Sequence, residues 1–368
     1  MNEQNKIKIP RLFLKIVLLF LFINFFCFFI SFLPYGKISL YNSVLPGRER
    51  LPFGENQEQS YNLTMNNIDA MIASHVISKD NKLPNEIRLL VIGDSSIWGF
   101  LQKPEETLTA ILTEKTEFIC KDKNIKIFNL GYPSQSVLKD LFFIDAVKSN
   151  NPDLILWFIT LESLIGYEQL STPLVKNNPV LLNKIISDYE LGYTPARTSI
   201  WDHTLIKQRR NFADVIRLQL YGVLWAATGI DQEYPQTFNP AQRDFEYDDT
   251  YKNFSGKNLN EYDLALDLIK KAIDKNSELD FIVFNEPILI SDGKNSNIRY
   301  NYYYPRWAYD QYREIINKYT SENRIKYFDF WNLIPENNFT NSAIHLDSHG
   351  EEIFSKHILE ILEDYCES

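Results

Sequence analysis

One apolar run that stops abruptly constrains this chain more than any other feature. Arg88 to Gly99 reads R-L-L-V-I-G-D-S-S-I-W-G. Leu89 to Ile92 carries no polar break, the pattern of a strand buried on both faces of a parallel sheet. It ends on Gly93-Asp94-Ser95 and so delivers a serine to the C-terminal end of a strand. In open α/β sheets that edge binds ligands, because loops diverge there and helix N-termini point at the crevice. Ser95 is therefore the first candidate for chemistry.

An alternating pattern follows. Glu105 to Lys115 reads as a helix opened by Pro104 and acidic residues, which suit a helix N-terminus. Lys126 to Leu130 is a second strand, Ser136 to Lys148 a helix, and Asp153 to Ile159 a third strand. After a long interruption come a helix at Leu264 to Asn276, a strand at Asp280 to Phe284, a helix at Ala308 to Tyr319, a strand at Ile325 to Phe328 and a last helix at Glu351 to Asp364. The alternation implies right-handed crossovers and parallel strands. The expected fold is α/β: a flavodoxin-like three-layer α/β/α arrangement around a central five-stranded parallel sheet.

The interruption spans residues 163–262, about a hundred residues without a clear strand, and is read as a helical cap over the site. It includes helix-like pieces at Val180 to Tyr189 and Phe212 to Thr228. Within it, the apolar stretch Leu218 to Ile230 is too short to span a bilayer; it is either buried against the sheet, the preferred reading, or rests on a membrane interface. Arg299 to Trp307 reads R-Y-N-Y-Y-Y-P-R-W, a cluster suited equally to stacking on a sugar or acyl group and to packing against the cap.

Ahead of the α/β pattern, Ile16 to Leu33 is almost uninterruptedly apolar and follows Lys6, Lys8, Arg11 and Lys15. At about 1.5 Å per residue it covers roughly 27 Å, close to the bilayer core. The basic flank predicts a cytoplasmic tail (1–11), a transmembrane anchor (12–33) and an exported remainder. The run is long for a signal peptide and no small-x-small cleavage site follows, which favours an uncleaved anchor. Residues 34–85, with turn signals at Pro46-Gly47-Arg48 and Pro52-Phe53-Gly54, read as a juxtamembrane connector, and 86–368 as the α/β domain.

A formal net charge of -10 argues against nucleic acid as partner. Of three cysteines, Cys27 lies in the membrane run, so at most one disulfide, Cys120 to Cys366, can form outside it. No histidine, cysteine or carboxylate has metal-ligand spacing, so neither a metal nor a cofactor is expected. His75 and His203 are read as structural and His357 as an exposed helix residue. A serine nucleophile needs a neighbouring base, and the C-terminal segment Ala343 to Gly350 offers His345 and His349.

Gly93-Asp94-Ser95, then Asn129-Leu130-Gly131, then His345-Leu346 with Gly350 five positions on, resemble in order and spacing the SGNH/GDSL hydrolase superfamily, over Arg88 to Ile361 apart from the cap. The resemblance implies that Ser95 attacks an ester carbonyl, that His345 is the general base, and that the N–H groups of Ser95 and Gly131 hold the oxyanion. His345 matches the family histidine, and His349 falls in the first turn of the final helix.

Two positions depart from the family pattern. Where the family has Asn after the third strand, this chain has Ile159-Thr160-Leu161-Glu162-Ser163, with Glu162 nearest that place. Where it has Asp three residues before the histidine, this chain has Ser342, with Asn341 beside it. Asp94, Glu162, Asn285, Glu286 and Ser342 are the candidates for orienting the base or touching substrate. The expected function is a membrane-anchored, extracytoplasmic serine hydrolase or acyltransferase acting on O-acyl or O-acetyl esters of an envelope glycan or lipid, with envelope-assembly proteins as candidate partners. The competing reading is a non-catalytic binding or assembly module on the same fold.

Overall fold

The computed structural model describes residues 9–367 apart from 34, 46, 54–66, 117–118, 121–122, 229–236 and 255. Lys6 and Lys8 of the basic flank, the turn positions Pro46 and Gly54, and the end of the 218–230 stretch lie outside the described residues.

In chain order the elements are α1 (Ile9–Ile30), α2 (Tyr41–Val44), α3 (Ile68–Ser74), β1 (Glu86–Ile92), α4 (Ser95–Trp98), α5 (Leu108–Lys115), β2 (Asn124–Asn129), α6 (Val137–Val147), β3 (Leu154–Ile159), α7 (Leu161–Leu164), α8 (Pro173–Asn177), α9 (Pro179–Asp188), α10 (Leu205–Thr228), α11 (Leu266–Lys275), β4 (Asp280–Asn285), α12 (Arg306–Glu322), β5 (Tyr327–Asp329) and α13 (Ser348–Glu367). The five strands form one sheet in the order β2-β1-β3-β4-β5. Every pairing is parallel, with Leu89 opposite both Ile127 and Leu154. The expected five-stranded parallel sheet is present.

Why these segments become strands is visible in their burial. All seven residues of β1 and all six of β3 are buried. Alternate side chains serve opposite layers, as the two-residue period of a strand requires. Leu90, Ile92, Ile155, Trp157 and Val283 pack into one core with α3, α6, α11 and α12. Leu89, Val91, Leu156, Phe158, Ile282 and Phe284 pack into a second core with α5 and α13.

The helix starts follow local capping. Ser136 accepts from Lys139 N ahead of α6, and Thr107 from Ala110 N ahead of α5. Each satisfies a backbone donor that the first turn leaves orphaned.

Residues 34–85 do more than connect. Leu51, Ile68, Met71 and Ile77 are completely or almost completely buried in the main core, and Arg48 N donates to Ser74 O. The packed unit thus begins well before Glu86. The apolar spacing of this segment is short and broken by turns, which hides it from periodicity. His75 is structural as expected: its Nε2 contacts Glu49 O at 2.9 Å, its Nδ1 accepts from Ile77 N, and burial lowers its pKa to about 4.

The helices of the insertion lie beside the sheet, while its last part reaches the carboxyl edge, where Ala241 N donates to Thr340 O and Tyr251 Oη to Glu162. The helices α8 and α9 pack on α6, and α10 packs on α1, α2 and α3. Of the 218–230 stretch, Leu218 and Trp225 are buried, whereas Leu220 and Val223 are exposed. One face of α10 is therefore buried, against other helices rather than against the sheet, and the other is exposed. Cys120 and Cys366 are joined by a disulfide, with Cα atoms 5.4 Å apart.

Candidate active site

Strand β1 ends at Ile92, and α4 starts three residues later. Asp94 caps that short helix, its Oδ1 accepting from Ser96 N at 2.9 Å. Gly99 ends it at φ 86°, a left-handed conformation that costs glycine nothing. Ser95 sits at the first position and is half-buried, while Asp94, Ser96, Ile97 and Trp98 around it are buried. The turn therefore presents one side chain to the crevice at the carboxyl edge.

The histidine beside Ser95 arrives from the far end of the chain. His345, in the loop before α13, brings Nε2 to 2.7 Å from Ser95 Oγ. Its Nδ1 lies 2.8 Å from Asn341 Oδ1. Because that oxygen only accepts, Nδ1 carries the proton, and Nε2 is left with a lone pair for the serine hydroxyl. Burial pushes the His345 pKa down to about 4, against an opposing pull from Asp94. The ring is thus neutral, as a base must be, throughout the physiological range. Phe100 stacks on the imidazole with centroids 4.9 Å apart.

The group that meets the second ring nitrogen of His345 is Asn341. Four residues before the histidine rather than three, it supplies an amide oxygen where the resemblance led one to look for a carboxylate.

A buried polar layer supports the turn from below. Lys139 Nζ donates to Gly93 O at 2.7 Å and to Tyr132 O at 3.2 Å, and pairs with Asp140 at 2.6 Å. Trp157 Nε1 donates to the other Asp140 oxygen at 2.9 Å. Glu286, expected near the chemistry, lies in this layer: it is 2% exposed and accepts from Ser96 Oγ. Burial first, then the charge of Asp94, pushes its pKa well up. It lies beneath the serine turn, bonded to Ser96. Asp94 is engaged as a cap and by Gln135 Nε2 at 3.1 Å.

Asn285 is likewise internal. It donates to Asp329 Oδ1 at 2.8 Å and accepts from Tyr309 and Tyr312, tying β4 to β5 and α12. Glu162 is half-buried but does not stand as a bare charge: Lys252 pairs with it, and Tyr251 Oη donates to it at 3.2 Å. The aromatic cluster mostly packs. Tyr300 and Tyr304 are buried, and Trp307 Nε1 donates to Asp249 O at 2.7 Å. Arg299 binds the carbonyls of Asp248 and Thr250, so the cluster holds the end of the insertion to the domain.

Gly131 is placed beside the turn, but its N–H donates to Asn129 Oδ1 at 2.9 Å rather than standing open for an oxyanion. Its lack of a side chain has a packing cause: a Cβ there would lie 2.5 Å from Trp98 N and 2.8 Å from Ile97 C. The same Asn129 donates to Ile97 O at 2.8 Å, clamping α4 from its C-terminal side. Among the described residues no group of histidines, cysteines and carboxylates is arranged to hold a metal.

Three features now coincide: the strand order β2-β1-β3-β4-β5, Gly-Asp-Ser at the end of β1 with Asn-Leu-Gly at the end of β2, and a serine–histidine contact closed by the loop before the last helix. This arrangement resembles, in its motifs and their order, that of SGNH/GDSL hydrolases. No protein-family model matches the chain, and no curated protein matches it.

Solved structures that it resembles include a lipolytic protein of the G-D-S-L family from Veillonella parvula, at 12% identity over 75% of this chain and 97% of that one, with a TM-score of 0.37. Others are an acetylxylan esterase from Geobacillus stearothermophilus (13% identity, 74% and 93% covered, TM-score 0.36) and a carbohydrate acetylesterase family member from Sinorhizobium meliloti (10%, 77% and 100%, TM-score 0.34). Lys139, Asp140 and Phe100 surround the serine turn without having been singled out in the sequence, whereas Asn341 was named there as the neighbour of Ser342. Lys139-Asp140 inside an otherwise apolar helix was the available signal, since charged residues are almost never fully buried unless paired.

Proposed function

We propose that this protein is a membrane-anchored, extracytoplasmic serine esterase or O-acyltransferase working through Ser95, His345 and Asn341. The observation that carries this is the 2.7 Å contact between Ser95 Oγ and His345 Nε2. As Ser95 Oγ bonds to an ester carbonyl carbon, its proton passes to Nε2 and the carbonyl oxygen becomes an oxyanion. Ser95 N–H, at the open end of α4, is the donor nearest that charge; Gly131 N–H joins it if Asn129 yields. Collapse expels the alcohol, which takes the proton from Nε2 and leaves an acyl-Ser95. Water, activated by the same nitrogen, then releases the carboxylic acid, or an acceptor hydroxyl takes the acyl group.

Without a carboxylate on Nδ1, the imidazolium is steadied by the Asn341 amide dipole. This is a weaker partner than an ionised acid, so turnover is slower than a full triad permits. The pairing of Glu162 with Lys252 removes the repulsion that a bare carboxylate would exert on the oxyanion.

The location is supported by α1. It is 22 residues long, has a mean hydropathy of 2.6 in its most apolar window and is almost wholly unburied. At about 1.5 Å per residue it reaches roughly 33 Å, the thickness of a bilayer core. Arg11 and Lys15 near its start favour a cytoplasmic N-terminus. The Cys120–Cys366 disulfide supports an oxidising compartment for the domain. An anchor confines the site to the membrane surface, where ester groups on envelope glycans or lipids are the accessible substrates.

The test uses the full chain in detergent, a fluorophosphonate probe and p-nitrophenyl acetate. We expect the probe to label the native protein and not Ser95→Ala, and hydrolysis to fall by at least about 10³-fold in that variant. A folded protein that neither reacts with the probe nor hydrolyses the ester would overturn the reading in favour of a binding module.

A further inference from the structure

The insertion reaches back to the apolar helix in a way that the catalytic reading does not require. Leu205 N donates to Asn24 Oδ1 at 3.2 Å. Ser31 Oγ lies 2.7 Å from His203 Nδ1, and the His203 ring stacks on Phe32 with centroids 4.3 Å apart. Asn24 precedes the end of α1 at Ile30 by about 9 Å of helix rise. Residues 201–205 therefore run alongside the last two turns of α1, at a level inside the apolar span.

Beside the exposed Ser199 and the half-buried Asp202, the largest outward side chains of this segment are apolar. Ile200 is 74%, Trp201 73% and Ile206 55% exposed. The next turn of α10 carries Lys207, Arg209 and Arg210, all exposed. Tryptophan with aliphatic neighbours, followed within one turn by basic side chains, is the composition that sits at a bilayer boundary, apolar groups among the acyl chains and cations at the headgroups. Asn24 points to the same conclusion. An amide within a membrane span is costly unless satisfied, and here its nitrogen donates to Phe20 O at 2.8 Å while its oxygen takes the N–H of Leu205.

We propose that residues 199–206 form a second membrane contact, inserted into the extracytoplasmic face of the bilayer that α1 crosses, with Lys207, Arg209 and Arg210 meeting anionic headgroups. The proposal rests on the reading of α1 as a membrane anchor. Its occupant is the lipid surface because the segment is continuous with that helix and shares its depth. Anchor and insertion then hold the domain at two points, which limits its rotation about α1 and fixes how the carboxyl edge of the sheet faces the membrane.

The test is depth-dependent quenching in the full chain. In a Cys27→Ser background that keeps the disulfide, Phe20→Cys, Trp201→Cys, Ile200→Cys and Tyr262→Cys are each labelled with a small fluorophore. Each is reconstituted into phosphatidylcholine–phosphatidylglycerol vesicles with or without brominated acyl chains. We expect residues 20, 200 and 201 to lose fluorescence at least about twofold in brominated lipid, and residue 262, which is 98% exposed, to be unaffected. Quenching at 20 but not at 200 or 201 overturns this proposal and leaves the anchor standing. No quenching at any position overturns both. Labels at 200 and 201 that are unquenched by lipid yet cross-link between chains would assign the patch to a second copy instead.

Discussion

Asn341 Oδ1 lies 2.8 Å from His345 Nδ1, on the side of the imidazole opposite Ser95. A neutral amide thus stands where a carboxylate would complete a triad, and the charge on the base is left to burial. With the His345 pKa at about 4, the base is competent at any pH above that value and is lost as pH falls through it.

Asn341→Asp should reverse that balance. A carboxylate on Nδ1 favours the imidazolium, so the histidine pKa rises and the acid limb of the pH–rate profile moves up by about one unit or more. The measurement is kcat between pH 4 and 9 for both proteins, together with Asn341→Ala, expected to lose about tenfold from an unfixed ring. Superimposable profiles for the native and Asp proteins would remove Asn341 from the mechanism.

Gly131→Ala tests how tightly the nucleophile turn is held. The added Cβ meets backbone atoms of Ile97 and Trp98, which cannot rotate away as a flexible side chain would. We expect destabilisation of about 1–3 kcal/mol from overpacking. We also expect a fall in kcat near 10²-fold from displacement of Ser95, since small misplacements of reacting groups are costly. Thermal melting and esterase assays read the two effects separately.

Lys139→Met removes the cation from the layer beneath Ser95. It leaves Asp140 buried without its partner and Gly93 O without its donor. Breaking one side of a buried pair costs about 3–5 kcal/mol, so the variant should melt well below the native protein. Lys139→Met combined with Asp140→Asn should recover part of that loss.

Glu351→Gln should stabilise the protein progressively as pH rises above about 4.5. Burial raises the Glu351 pKa to about 8, above its unfolded value. A raised acid contributes stability below its unfolded pKa and loses it as pH rises through the folded one. The native protein should therefore weaken between about pH 4.5 and 8 by an amount on the order of a kcal/mol or more, and the glutamine variant should not. Melting temperatures at pH 5 and 9 decide it: the variant's advantage is small at pH 5 and larger at pH 9.

Much of the framework was legible because it depends on local pattern. The runs at Leu89 to Ile92 and Asp153 to Ile159 are apolar on both faces, and each stops at a polar group, which marks strands and their carboxyl ends without knowledge of neighbours. The five strands fall within a few residues of expectation. Residues 34–85 were misread as connector because their buried side chains, Leu51, Met71 and Ile77 among them, come one or two at a time between turns.

The chain by itself thus determined the parallel sheet, the serine at its edge and the apolar N-terminal helix, all properties of contiguous residues. Tertiary structure alone decided which groups serve that serine. Asn341 rather than Ser342 meets the imidazole, Glu286 lies buried beneath the turn on Ser96, and Lys252 pairs with Glu162. The contact between Ser95 and His345 joins residues 250 positions apart. Hydrogen bonds and ion pairs of that kind depend on angles and distances of a few ångströms, which residue spacing along the chain does not encode.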